Sequence, residues 1–174
     1  MKQLLVVFGV LAFAACSSTN DEVDSAEATE VAERLLGVWR VVSIETIRAS
    51  TSEAISPWLG PRPTGTLVYL PNGYMTVQLM RDPPPEFAAD TYEGATLEEM
   101  KEAFLGYYAY YGTYTIDETR GSVTHHIESS LLPSEREVSV ERFFELDGDR
   151  LSLETAPFID EGERRINRLV WERM

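Results

Sequence analysis

The stretch TGTLVYLPNGYMTVQLMR, residues 64–81, decides the fold. It contains two segments of extended character on either side of the tripeptide Pro71-Asn72-Gly73. In the second segment apolar residues at 75, 77 and 79 alternate with polar or aromatic ones, which is the two-residue period of a strand with two different faces. Because Asn72 and Gly73 both tolerate positive φ, the stretch predicts a β-hairpin with its turn at these residues.

The composition is that of one folded domain with an acidic surface. The chain has 174 residues, of which 44% are hydrophobic and 10% aromatic, enough for a sizeable core. Its net charge of −14 and the lack of any basic run argue against a nucleic-acid partner. With one cysteine the chain can form no internal disulfide, so its stability must come from its core.

That cysteine follows an apolar segment near the N-terminus. Residues 4–15, LLVVFGVLAFAA, are too few to cross a bilayer but suit the hydrophobic region of a secretory signal. Phe13-Ala14-Ala15-Cys16 is similar to the bacterial lipobox, in which the cysteine is lipidated and becomes the new N-terminus. An ordinary signal peptide with a nearby cysteine is the alternative. Ser17 after the cysteine favours, by analogy, the outer membrane.

Three regions follow along the chain. Residues 1–15 are predicted to be a lipoprotein signal peptide, and residues 16–29 a lipidated cysteine with a flexible acidic tether. Residues 30–174 are predicted to be the folded domain. Loss of the signal peptide would remove one positive charge, that of Lys2, and change the net charge from −14 to −15. The predicted location is the bacterial cell envelope, at the periplasmic face of the outer membrane, with contact to the membrane through the lipid.

The domain is predicted to be all-β. A short helix ends at Gly37, and a capping box at Thr96 and Glu99 begins a second helix, Leu97–Tyr108, inserted between strands. Eight antiparallel strands suffice to close a small barrel, which either fills with side chains or holds one ligand; an open sandwich is the alternative. The predicted strands are the two hairpin arms, Gly37–Ile47, Tyr110–Asp117, Ser122–Ser129, Val138–Leu146, Arg150–Thr155 and Arg165–Arg173.

Several motifs resemble one family. Gly37-x-Trp39 resembles the G-x-W signature of lipocalins, in which the tryptophan closes one barrel end beneath a basic side chain of the last strand; Arg173 and Arg168 are the candidates here. The strings GTLVYLPNGYMTVQLMR, EEMKEAFLGYYAYYGTYTID and GSVTHHIESS are similar to the bacterial and fungal lipocalin-like domain family. This resemblance runs from about Leu36 to Arg173 and implies a calycin-type barrel for a small apolar or amphipathic molecule. The string LLPSEREV, residues 131–138, departs from the pattern, which has a glycine-bearing turn there.

The pair His125-His126 is the first candidate for chemistry. Adjacent strand residues point to opposite faces, so the two imidazoles cannot easily share a metal ion. No local H-x-H or E-x-x-H pattern suggests a third ligand, so no metal site is predicted. No cofactor is predicted either. One histidine should face the barrel interior, where it either contacts a ligand or is hydrogen-bonded to tyrosines; His126 is taken as the candidate.

Tyrosines and one arginine complete the candidate site. Arg142 alternates with Phe144 and Leu146, which favours an inward position, where it needs an anionic ligand or a carboxylate such as Glu128. On the outer face it would be an ordinary surface ion-pair former. Tyrosines supply apolar rings with one polar tip, which is typical of small-molecule pockets. The predicted ligand-binding residues are Tyr69, Thr76, Gln78, Tyr111, Tyr114, His126 and Arg142.

The sequence favours a binding protein over an enzyme, because it contains no nucleophile motif and no phosphate-binding glycine loop. The predicted function is the binding of a small hydrophobic or amphipathic ligand by a lipid-anchored barrel. Two alternatives stay open: an isomerase or cyclase that uses a histidine and a tyrosine for acid–base chemistry, and a filled barrel that acts as an envelope interaction module. The ligand and the oligomeric state stay open as well.

Overall fold

The computed structural model describes residues 30–55, 59–89 and 91–174. The predicted signal peptide, the tether and the lipidation site Cys16 lie outside the described residues. No helix in the described part of the chain combines the length and the apolar character needed to span a membrane.

Ten antiparallel strands form a single sheet that closes on itself. Their order is β2-β1-β3-β4-β5-β6-β7-β8-β10-β9, and β1 also pairs with β10. Without the short strands β2 and β9, eight strands form the closed barrel that the sequence predicts, and the open sandwich is excluded. The elements are α1 (residues 30–35), β1 (Gly37–Arg48), β2 (Ala54–Ile55), β3 (Thr64–Tyr69), β4 (Tyr74–Met80), α2 (Leu97–Leu105), β5 (Tyr107–Asp117), β6 (Ser122–Ser130), β7 (Ser139–Asp147), β8 (Arg150–Thr155), β9 (Phe158–Asp160) and β10 (Glu163–Arg173), with 3₁₀ turns at Tyr92–Gly94 and Pro133–Glu135.

The hairpin of residues 64–81 forms as predicted. Strands β3 and β4 pair from Thr64 opposite Met80 to Tyr69 opposite Met75. Gly73 has a φ of 84°, the left-handed conformation that its turn requires. The apolar face of β4 points into the barrel core, where its residues are Met75, Val77 and Leu79.

Helix α2 ends earlier than the sequence predicts. The backbone N–H of Gly106 donates to the carbonyls of Glu102 and Phe104, and β5 begins at Tyr107. The prediction that the helix reaches Tyr108 is therefore wrong, because this residue pairs with β4 as part of the sheet. The predicted capping box is present at the other end of the helix, where the side chains of Thr96 and Glu99 satisfy each other's backbone N–H groups.

The remaining differences from the predicted strands are small. Strand β1 extends to Arg48 and β10 begins at Glu163, and the short strands β2 and β9 lie between the predicted strands. In the segment LLPSEREV a 3₁₀ turn replaces the expected glycine-bearing turn. Glu137 has the positive φ there, at 60°, and its N–H donates to the carbonyl of Ile127 at 2.9 Å.

One barrel end is closed by Trp39, as the G-x-W motif predicts. The indole is fully buried, and its Nε1–H donates to the carbonyl of Leu35 in α1 at 2.9 Å. The guanidinium of Arg173 lies 4.1 Å from the centre of the ring, and its Nη1 donates to the carbonyl of Leu36 at 2.7 Å. Its Nη2 donates to the carbonyl of Arg34 in α1, so strand β10 holds α1 and the tryptophan together through one cation.

Glycine at position 37 is needed for this arrangement. Its φ is 118°, and a Cβ at this position would lie 3.2 Å from Nη1 of Arg173. Of the two predicted basic partners, Arg173 is the one that covers Trp39. The other, Arg168, instead forms an ion pair with Glu154 at 2.6 Å.

Candidate ligand-binding cavity

A cavity of about 780 Å³ lies within the barrel and reaches helix α2. This volume falls within the usual range of small-molecule sites. At the side of α2, the aromatic ring of Phe104 and the side chain of Leu105 form part of the lining. Most of the deeper wall is apolar and includes Ile44, Val77, Leu79, Leu153 and Leu169.

A buried histidine connects two strands in the polar part of this cavity. His125 on β6 is 1% exposed and has a tyrosine hydroxyl at each ring nitrogen. The hydroxyl of Tyr69, from β3, lies 2.6 Å from Nε2, and that of Tyr110, from β5, lies 2.8 Å from Nδ1. We call these three residues the Tyr–His–Tyr triad. It places tyrosines from separate strands around one imidazole.

The triad is uncharged at neutral pH. Burial, followed by the positive charge of Arg142 and the neighbouring imidazole of His126, holds the pKa of His125 well below its ordinary value of 6.5. Burial also raises the pKa of Tyr69 and of Tyr110, an effect that the charge of Arg142 opposes in both. The triad is therefore a neutral imidazole between two protonated phenols.

Arg142 lies on the interior face of β7, as the sequence predicts. It pairs with Val123 of β6, which is fully buried, and it lines the cavity. Its Nη1 donates to the carbonyl of Glu141 at 3.0 Å. No carboxylate of the described residues lies within 4.0 Å of the guanidinium, and the predicted partner Glu128 is exposed.

Glu135 and Trp171 are among the further polar residues that line the cavity. The carboxylate of Glu135 accepts hydrogen bonds of 2.9 Å from the hydroxyls of Tyr108 and Ser130. Burial is the main cause of the raised pKa of Tyr108, and the Glu135 charge adds to it. The indole N–H of Trp171 is buried and has no hydrogen-bond partner in the described part of the chain. The cavity thus holds a satisfied acid and an unsatisfied donor.

A family model identifies the relatives of this barrel. The model for the lipocalin-like domain matches residues 36–174. The chain belongs to the lipocalin-like domain family. Among solved structures it is similar to a redesigned β-barrel, with 14% sequence identity, a TM-score of 0.38, and coverage of 82% of this chain and 94% of that one. A search of curated protein sequences found no match.

Three of the seven predicted ligand-binding residues have side chains on the interior face of this lipocalin-like barrel. They are Tyr69, Tyr114 and Arg142. The rings of Tyr69 and Tyr114 are 4.7 Å apart, and the Tyr114 hydroxyl donates to the carbonyl of Leu70 at 3.0 Å. Of the three, only Arg142 is part of the cavity lining, and Tyr69 reaches the cavity through His125.

The other four predicted residues lie on the outer face of the lipocalin-like barrel, which corrects the prediction. Thr76 and Gln78 alternate with the buried Val77, and Thr76 pairs with Tyr111, which is 52% exposed. His126 is also outside. Its ring nitrogens lie 2.9 Å from the Ser139 hydroxyl and 3.0 Å from that of Thr115. These side chains do not line the cavity.

The interior residues that the sequence prediction missed include His125, Tyr110 and Trp171. The sequence did indicate the inward position of His125, because this residue alternates in step with the apolar residues Val123 and Ile127 on its strand. One histidine does face inward and the other outward, as predicted, but the inward one is His125. The described residues contain no group of three or more His, Cys, Asp or Glu side chains that could hold a metal ion.

Proposed function

We propose that this lipocalin-like domain binds one small hydrophobic or amphipathic molecule inside its barrel. The observation that carries the proposal is the cavity of about 780 Å³, with apolar walls and a few polar groups. A filled barrel, the interaction-module alternative, would have no such space. Apolar walls favour a ligand that buries hydrocarbon surface, since burial contributes about 25 cal/mol per Å².

Helix α2 contributes to the mouth of the proposed site. Phe104 and Leu105 line the cavity although they are 46% and 51% exposed, so a bound molecule would cover apolar surface that now faces solvent. The helix is attached to the neighbouring segments by polar contacts. The Arg81 guanidinium lies 2.8 Å from the Glu102 carboxylate, and the N–H of Ala88 donates to the carboxylate of Glu99 at 2.8 Å.

Binding of an uncharged fluorescent dye tests the proposal. We expect N-phenyl-1-naphthylamine to bind saturably with an increase in emission. Leu169→Trp should weaken this binding at least tenfold, because the larger side chain takes up cavity space. The matched control is Leu70→Trp, at a side chain that is 44% exposed, and it should bind the dye as the parent protein does. Circular dichroism verifies that both variants fold. Absence of saturable binding, or equal loss in both variants, would contradict the proposal.

The geometry supports catalysis less well. Both ring nitrogens of His125 are occupied by tyrosine hydroxyls, so neither is free to take a proton from a ligand directly. Mass spectrometry of a ligand recovered after incubation separates the two functions. A carrier returns the molecule with unchanged mass and retention time, whereas an isomerase or cyclase returns a product with a different retention time.

We further propose that a lipid on Cys16 holds the mature protein at the bacterial cell envelope, on the periplasmic side of the outer membrane. The support comes from the sequence alone: an apolar run at residues 4–15, small residues before the cysteine, and an acidic tether after it. The full chain produced in a bacterium should enter the detergent phase of a Triton X-114 extraction. Cys16→Ser should enter the aqueous phase. Aqueous partition of the unchanged chain would contradict the anchor.

A further inference from the structure

We propose that the cavity contains a carboxylate subsite, formed by the guanidinium of Arg142 and the hydroxyl of Tyr110. The proposal rests on the proposed function and names the chemical class of its ligand: an amphipathic molecule with a carboxylate at one end and a hydrocarbon body. Three observations lead to it: the cation without a carboxylate partner, the hydrogen-bond directions in the triad, and the buried indole N–H of Trp171 without a partner in the described chain.

The first observation is the charge of Arg142. A guanidinium turned into a barrel is costly unless an anion accompanies it. The carboxylate of Glu135 is engaged by two hydroxyls. That of Glu141 accepts from Ser122 at 3.0 Å and from Arg120 at 3.2 Å. No described carboxylate comes within 4.0 Å of the Arg142 guanidinium, so the negative charge is left for a ligand to supply.

The second observation fixes the proton positions in the triad. Tyr69 is fully buried, and the one polar partner described for its hydroxyl is Nε2 of His125. If that hydroxyl accepted a hydrogen bond from Nε2–H, its own proton would be buried without an acceptor, which costs about 1–3 kcal/mol. Tyr69 therefore donates to Nε2. The neutral imidazole then carries its proton on Nδ1 and donates it to the oxygen of Tyr110.

As a result, Tyr110 can donate its hydroxyl proton to a ligand in the cavity. Its oxygen accepts from His125, and its ring is part of the cavity lining. Arg142 lines the same cavity as Tyr110, and its charge opposes the effect of burial on the pKa of this hydroxyl. The arginine and the tyrosine therefore present donors to one cavity. The buried N–H of Trp171, without a partner in the described chain, is a third donor in the same cavity. These three donors match a ligand that brings acceptors.

A carboxylate matches this site better than other head groups. It has one negative charge for one cation, and its two oxygens can accept from the guanidinium and from the phenol together. A phosphate monoester carries about −1.5 to −2 charges, which would leave excess negative charge in a cavity that already contains the carboxylate of Glu135. An alcohol would leave the charge of Arg142 unpaired.

The test compares two competitors of equal chain length. Dodecanoic acid and 1-dodecanol, both below their aggregation concentrations, are used to displace N-phenyl-1-naphthylamine at pH 7.5. We expect the acid to bind at least tenfold more tightly than the alcohol. Arg142→Met should weaken the acid tenfold or more and change the alcohol by less than about twofold, because only the acid loses a charge-assisted hydrogen bond. Tyr110→Phe should weaken the acid about threefold to tenfold.

Two further variants keep the test decisive. Arg40→Met makes the same change of charge at an exposed position of β1, and it should leave both affinities within about twofold. Arg142→Lys retains the charge and should retain part of the preference for the acid. This variant replaces Arg142→Met in the test if Arg142→Met does not fold. Equal affinity for acid and alcohol, or equal weakening of both by Arg142→Met, would contradict the carboxylate subsite. Saturable dye binding in the same experiment would still support the proposed binding function. Absence of dye binding would overturn both.

Discussion

Replacement of Trp39 by alanine should lower the free energy of unfolding by about 3–5 kcal/mol, which is typical when a buried tryptophan is truncated. The side chain is fully buried among the residues of the barrel core, beside the equally buried Leu67 and Leu35. Its removal would leave a cavity at the closed end and take away the hydrogen bond to the Leu35 carbonyl. It would also remove the aromatic face beneath Arg173, a contribution of about 0.5–2 kcal/mol.

Urea unfolding followed by circular dichroism measures this change, because the signal does not depend on the deleted indole. Trp39→Phe should lose less, since a phenyl ring still fills part of the space. Arg173→Met isolates the cation and should cost less than Trp39→Ala. A loss below about 1 kcal/mol for the alanine variant would show that Trp39 does not hold the closed end together.

Acidification from pH 6.5 to pH 5 should lower the free energy of unfolding by up to about 2 kcal/mol through the protonation of His125 in the unfolded chain. In the unfolded chain a histidine takes up its proton near pH 6.5, whereas in the fold burial and the charge of Arg142 hold the pKa of His125 well below that value. Between the two pKa values only the unfolded state binds the proton. The stabilisation is therefore fully present above pH 6.5 and is lost, at up to about 1.4 kcal/mol per pH unit, as the pH falls.

The adjacent residue His126 provides the control for His125. Urea unfolding between pH 7.5 and 5 should show a slope that His125→Gln removes and that His126→Gln, at the half-buried outer position, retains. Two carboxylates with lowered pKa values also make stability depend on pH, but at a lower pH than His125 does. Glu99 accepts from backbone and side chain of Thr96 and from the backbone of Ala88, and Glu163 accepts from Arg48, so their stabilisation is lost only below about pH 4.5. An unchanged slope in His125→Gln would contradict the prediction.

Features that depend on neighbours along the chain could be predicted from the sequence. The hairpin at residues 64–81, the capping box at Thr96 and the eight barrel strands follow from residue period, turn residues and caps. The motif at Gly37 and Trp39 also led to the covering cation Arg173, through the resemblance. Where local signals competed, tertiary pairing decided: helical spacing continues to Tyr108, but the Gly106 cap and pairing with β4 end the helix at Leu105.

The sequence by itself determined the family, the barrel and the interior position of Arg142. The tertiary structure decided which side chains meet across the barrel. Tyr69 and His125 are 56 residues apart and share a hydrogen bond of 2.6 Å, and no carboxylate of the described chain reaches Arg142. The physical reason is that alternation along a strand sets only the face of a side chain. The distance between two inward-facing groups, and hence the cavity and its unpaired cation, depends on how the strands close.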